Sequence, residues 1–130
     1  MNFKYVVNTK QFPSFVSDLN QSKIIGLDVE STDLDIFTAT WLLLQIKANN
    51  NIYIFDVQKL GIENMKYVVQ MIQDSNVRSI GHNIKFDMKI ILHNTDELLL
   101  NVYDTMTSES LIFRGIKRNI YPFRSYYFLT

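Results

Sequence analysis

The sequence predicts an α/β fold, a mixed sheet of about five strands with flanking helices. Three observations lead there. Apolar, β-branched runs occur at residues 23–29, 41–48 and 52–57, the last two separated by a run of asparagines. Further along, segments of helical spacing alternate with short apolar runs. Hairpin strands followed by such an alternation need helices on the faces of their sheet.

Taken in order, residues 3–7 read as a short strand. Thr9 is placed to cap a helix running through Phe15 and Leu19, with Pro13 in its first turn. The run Lys-Ile-Ile-Gly-Leu-Asp-Val at 23–29 is the strongest strand, and residues 30–38, rich in Ser, Thr and acids, read as a loop. Strands at 41–48 and 52–57 flank Asn49, Asn50 and Asn51, a residue type that tolerates the left-handed backbone of a turn. Ile62, Met65, Val68, Val69 and Ile72 fall on one face of a helix over 62–72. A short buried strand at 77–80 follows. A helix over 84–92 has Ile84, Met88 and Ile91 on its apolar side. A last strand at 98–103 and a helix at 105–113 complete the pattern.

Composition narrows the function classes. The 130 residues suffice for one domain. An apolar content of 47%, with nine Phe and seven Tyr, argues against disorder. Thirteen acidic and thirteen basic residues balance, so no strongly basic nucleic-acid binder is indicated. With no cysteine, disulfides, thiolate metal sites and a Cys nucleophile are excluded. No segment reads as a signal peptide or a membrane span, so the expected setting is soluble and cytoplasmic, with no membrane partner.

Two acidic motifs carry the candidate chemistry. Asp28 and Glu30 end the strongest strand, and alternation puts residues i and i+2 on one face. Two like charges that close are unfavourable unless a cation neutralises them, and oxygen-only ligands suit Mg²⁺ or Mn²⁺. Solvated acids at a strand end would give the same pattern. The second motif is Gly81-His82-Asn83-Ile84-Lys85-Phe86-Asp87. Gly81 suits a tight strand-to-helix turn. Asn83 is a good helix cap. Asp87, four residues on, shares its side of the helix and is either a third carboxylate for the cation or an exposed helical Asp. Phe86 could meet a base or pack into the core. His82 lacks a second His or Cys at metal-ligand spacing and reads as a turn residue.

Together these motifs resemble the DEDD family of 3′→5′ exonucleases, found beside family A DNA polymerases and in ribonuclease D. Asp28-Val29-Glu30-Ser31 matches its Asp-x-Glu motif, with Ser where Thr is usual, and Asn83-Ile84-Lys85-Phe86-Asp87 matches its Asn-x-x-x-Phe/Tyr-Asp motif. Between them lie a hydrophobic strand reaching Gln45 and a second strand, Ile52 to Asp56. After them comes an Asp104-Thr105 helix start. The resemblance implies a ribonuclease H-like fold, an architecture that fits the element order, as other mixed α/β folds also do. It further implies phosphodiester hydrolysis with two divalent cations, Mg²⁺ or Mn²⁺. Asp28 would bridge both, Glu30 would bind one and orient the water, and Asp87 would hold the second. Asn83, Phe86 and Leu34 would position the terminal nucleotide, and Asp104 would be structural. The implied substrate is the 3′ end of single-stranded DNA, or of RNA. The implied setting is proofreading in a DNA polymerase I-like protein.

The family's third motif, Tyr-x-x-x-Asp or His-x-x-x-x-Asp, has no counterpart here: after Asp104 the one acid is Glu109. Residues 1–115 therefore read as a partial exonuclease domain without the family's last helices. Residues 116–130 read as an atypical aromatic tail, expected if the reading frame is interrupted near Gly115. The activity of such a chain would depend on a polymerase or complementary chain supplying the missing carboxylate. A catalytically incomplete nucleic-acid-binding or polymerase-associated module is the alternative.

Overall fold

The computed structural model describes residues 1–113; the expected boundary at Gly115 and the tail beyond it lie outside the described residues. Six strands form one mixed sheet in the order β1-β4-β3-β2-β5-β6. They are β1 (Asn2–Val6), β2 (Ile24–Ser31), β3 (Trp41–Ala48), β4 (Asn51–Asp56), β5 (Arg78–Gly81) and β6 (Val102–Asp104). Strand β3 runs antiparallel to its two neighbours β2 and β4, while β1 runs parallel to β4 and β5 lies parallel to both β2 and β6. The helices are α1 (Phe12–Asn20), α2 (Val57–Leu60), α3 (Ile62–Asp74), α4 (Ile84–Thr95) and α5 (Thr105–Phe113).

The alternation of β2 decides where the acids go. Ile25, Leu27 and Val29 are buried, as are Leu44 and Ile46 opposite them on β3 and Tyr53 and Phe55 on β4. Phe15 of α1 packs edge-on against Tyr53 and Phe55, with ring centroids 5.2 and 5.0 Å away. Met65, Val68, Val69 and Ile72 of α3 join this core, whereas Ile62 stays 37% exposed. Asp28 and Glu30 sit on the opposite side of the pleat, paired with Gln45 and Leu43.

Several boundaries differ from expectation. Asn8, rather than Thr9, begins the first helical segment: its side chain accepts from the Lys10 N–H at 3.1 Å, and Gln11 closes a reciprocal capping box. A 3-10 turn over Thr9–Gln11 then leads into α1. Strand β2 continues to Ser31, because Trp41 gives Ser31 a partner across a bulge at Glu30/Ser31. Residues 57–60 form a helical turn because Asp56 caps it, accepting the Lys59 N–H at 3.0 Å. Strand β6 is shorter than its apolar run, and Leu99 is buried ahead of it.

Candidate active site

The sheet's geometry brings the two acidic motifs together. Asp87 lies in the first turn of α4, and its Oδ1 accepts the Val29 N–H at 2.8 Å. Val29 is the residue between Asp28 and Glu30, so a bond spanning 58 positions sets the third carboxylate against the first motif. Asp87 is 4% exposed, which removes the exposed-helix reading of this residue. Burial pushes its carboxyl up to about 7; the Val29 N–H opposes this, and the charges of Asp28 and Asp104 add to it. Asp28, half-buried, is raised by burial and then by Glu30. Glu30 is exposed at the rim.

The turn before α4 is built differently from the sequence expectation. Asn83 occupies the cap position, yet its side chain makes no capping bond. Its backbone is left-handed, with φ +56°, a conformation Asn adopts more readily than most residues. Its side chain is exposed. Gly81 serves close approach: an added Cβ would meet Ile84 side-chain atoms at 3.0 Å.

Asp104 fixes this turn from the neighbouring strand. Its Oδ1 accepts the Asn83 N–H at 2.8 Å and the Met106 N–H at 3.0 Å, and its Oδ2 accepts the Thr107 hydroxyl at 3.1 Å. The Thr105 hydroxyl donates to the Gly81 carbonyl at 3.2 Å and lies 3.0 Å from His82 Nδ1. In the sequence this clamp shows only as the Asp104-Thr105 pair at a helix start. Phe86 is half-buried against the core, while Leu34 is 83% exposed on the loop after β2.

The donor set near Val29 is all oxygen and carries unneutralised charge, which is the chemistry a hard divalent cation needs. Among the described residues, however, no three His, Cys, Asp or Glu side chains converge closely enough to hold one ion. In this arrangement Asp87 spends one oxygen on Val29.

A sequence profile of 3′-5′ exonucleases matches residues 3–119. The chain belongs to this family. Its curated relatives include DNA polymerase I of Borreliella burgdorferi, 31% identical over 85% of this chain and 13% of that protein. Ribonuclease D of Psychromonas ingrahamii is 28% identical over 88% of this chain and 30% of that protein. The chain thus spans under a third of the length of either. Among solved structures, Trypanosoma brucei RNase D in complex with GMP superposes with a TM-score of 0.70 at 18% identity, covering 85% of this chain and 35% of that one. Escherichia coli RNase D gives 0.67 at 16% identity, over 95% and 36%. The expected family and mixed α/β architecture are therefore found, with six strands in the sheet. Exonucleases of this family are hydrolases that generally use divalent metal ions. No helix among the described residues is long and apolar enough to cross a membrane.

Proposed function

We propose that this exonuclease domain removes nucleotides from single-stranded DNA 3′ ends, as the proofreading part of a DNA polymerase I-like protein, with Asp28, Glu30 and Asp87 as its catalytic carboxylates. One observation carries the assignment: Asp87 reaches from α4 to the Val29 N–H, between the two acids of β2. A buried carboxylate next to other carboxylates is an unfavourable arrangement that a cation would relieve. Asp28, Glu30 and Asp87 would hold two divalent ions, Mg²⁺ or Mn²⁺. When bound, such ions supply charge neutralisation and Lewis-acid activation at the phosphodiester. The chain's own residues do the positioning. Asp87 fixes the end of β2, Asp104 fixes the turn that carries Asn83, and Phe86, Asn83 and Leu34 surround the terminal nucleotide.

DNA is preferred because the DNA polymerase I relative is the more similar of the two described. RNA is the second reading, favoured by the likeness to Trypanosoma brucei RNase D, one structure of which is a complex with RNA U12. These 130 residues hold three of the four carboxylates the family motifs call for, so slow hydrolysis is expected unless a partner segment supplies a fourth.

The test is incubation of the 130-residue chain with 5′-labelled single-stranded DNA or RNA and Mn²⁺, beside Asp28→Ala. Slow, stepwise 3′ shortening that disappears in the variant is expected, faster on DNA. Shortening that persists in Asp28→Ala would remove the assignment, and a preference for RNA would replace the proofreading role with the second reading.

A further inference from the structure

The loop between β2 and β3 presents a feature that the terminal-nucleotide site does not use. It is closed at its base by the Thr32 N–H donating to the Thr40 carbonyl at 3.0 Å and the Thr40 N–H donating to Thr32 Oγ1 at 2.8 Å. Inside, Asp35 accepts the Phe37 N–H on Oδ1 at 3.0 Å, and its carbonyl accepts the Ala39 N–H at 2.8 Å. Ile36 and Ala39 turn inward and pack on the core. The loop is therefore anchored, and it holds Phe37 outward at 76% exposure. Held outward by the loop's own hydrogen bonds, the ring offers a face on which another ring can stack.

The Phe37 ring stands edge-on to the His93 ring, with centroids 5.5 Å apart, in the last turn of α4. Along α4, Phe86, Lys89 and His93 are spaced i, i+3, i+7 and so share one face. Lys89 and His93 are exposed and Phe86 half-exposed. The seven positions from Phe86 to His93 correspond to about 10 Å of helix. That is the length of about three nucleotides at the rise of a stacked strand. A cation between two aromatic positions is the pairing that binds single-stranded nucleic acid: bases stack on rings and the phosphate meets the ammonium.

We propose that the face of α4 leading from Phe86, at the terminal nucleotide, through Lys89 to His93, ended by Phe37, is the track for the single strand upstream of the 3′-terminal nucleotide, with Phe37 stacking a base, His93 supporting the Phe37 ring edge-on and Lys89 meeting a phosphate. The inference rests on the exonuclease reading and extends it to nucleotides that are not cleaved. Phe37 and Lys89 are positioning residues, outside the carboxylate site.

The experiment is fluorescence anisotropy of the 130-residue chain with 5′-fluorescein-labelled thymidine and uridine decamers in EDTA, with an unlabelled thymidine dinucleotide as competitor. Phe37→Ala is expected to weaken decamer binding about tenfold, the loss of one stacked base, and Phe37→Trp to restore it. Dinucleotide affinity should not change in either variant. Lys89→Gln should lower the slope of log affinity against log salt by about 0.7, one phosphate contact on a single strand. Phe37 and Lys89 are exposed, so neither change threatens the fold. Unchanged decamer affinity and salt slope in both variants, with wild-type binding intact, overturn the track and leave the exonuclease reading standing. Equal losses for dinucleotide and decamer also overturn it, because Phe37 would then serve the terminal subsite. A wild-type chain that binds neither decamer overturns both readings.

Discussion

Asp18 in α1 and Asp87 in α4 are both buried carboxylates, 8% and 4% exposed, and their surroundings treat the charge in opposite ways. Burial pushes Asp18 up, but hydrogen bonds from the Tyr53 hydroxyl, the Asn51 amide at 2.6 Å and the Asn49 amide at 3.3 Å outweigh it, leaving the group below its ordinary value. Asp87 is met only by backbone N–H groups, those of Val29 and of Asp87 itself, and faces the charges of Asp28 and Asp104, so burial prevails and holds it near 7. The first arrangement is complete within the protein. The second is not, and the deficit is positive charge. A buried acid supplied with enough donors ties elements together, whereas one short of them is prepared for something that arrives.

The largest expected effect separates the two groups by pH. Because the folded value of Asp87 is raised, its contribution to stability is fully present below about pH 4 and is lost as pH rises through about 7, by up to about 4 kcal/mol. Asp18 has a lowered folded value, so its contribution is present above the ordinary carboxylate range and is lost as pH falls through its folded value. Urea unfolding of the metal-free chain at pH 3, 5 and 8 should show Asp87→Asn flattening the profile between pH 5 and pH 8. Asp18→Asn should flatten the acid side instead. Identical profiles for the two variants would erase the contrast.

Truncation gives the next effect. Asp18→Ala removes the shared acceptor of the Asn49 and Asn51 amides and the Tyr53 hydroxyl, which keeps the Ser14 carbonyl, and should cost about 2–3 kcal/mol. Asp87→Ala strands the Val29 N–H alone and removes an unneutralised charge. A cost of about 1–2 kcal/mol is expected, read from the same urea transitions at pH 8. Metal binding is the remaining effect, and its size is set by the ion concentration. Mn²⁺ at a hundredfold excess over its dissociation constant should add about 2.7 kcal/mol. The rise should be larger at pH 8 than at pH 5, because Asp87 must lose its proton to take part. Thermal melts should show it in wild type and Asp18→Asn and not in Asp87→Asn; a rise that survives in Asp87→Asn places the ion elsewhere.

Much of this molecule was legible in local pattern. The run at 41–48 and the helix over 105–113 coincide with β3 and α5, because apolar periodicity is written within a few neighbouring residues. Asp28 and Glu30 share a face of β2 for the same reason. Less legible were details that depend on one particular bond. The helical turn at 57–60 follows from one Asp56 cap, and the start of the first helical segment moves by one residue because Asn8 and Gln11 close a capping box.

The sequence by itself determined the mixed α/β architecture, the placement of the acids at a strand end and a helix start, and the resemblance to the exonuclease family that its profile match establishes. Tertiary structure alone decided that Asp87 is buried against Val29, that Asn83 works through a left-handed backbone held by Asp104, and that Phe37 meets His93. The physical reason is range. Periodicity and capping act over one or two turns of chain. The charge state of a carboxylate depends on every group that folding brings near it, here from residues 58 positions away.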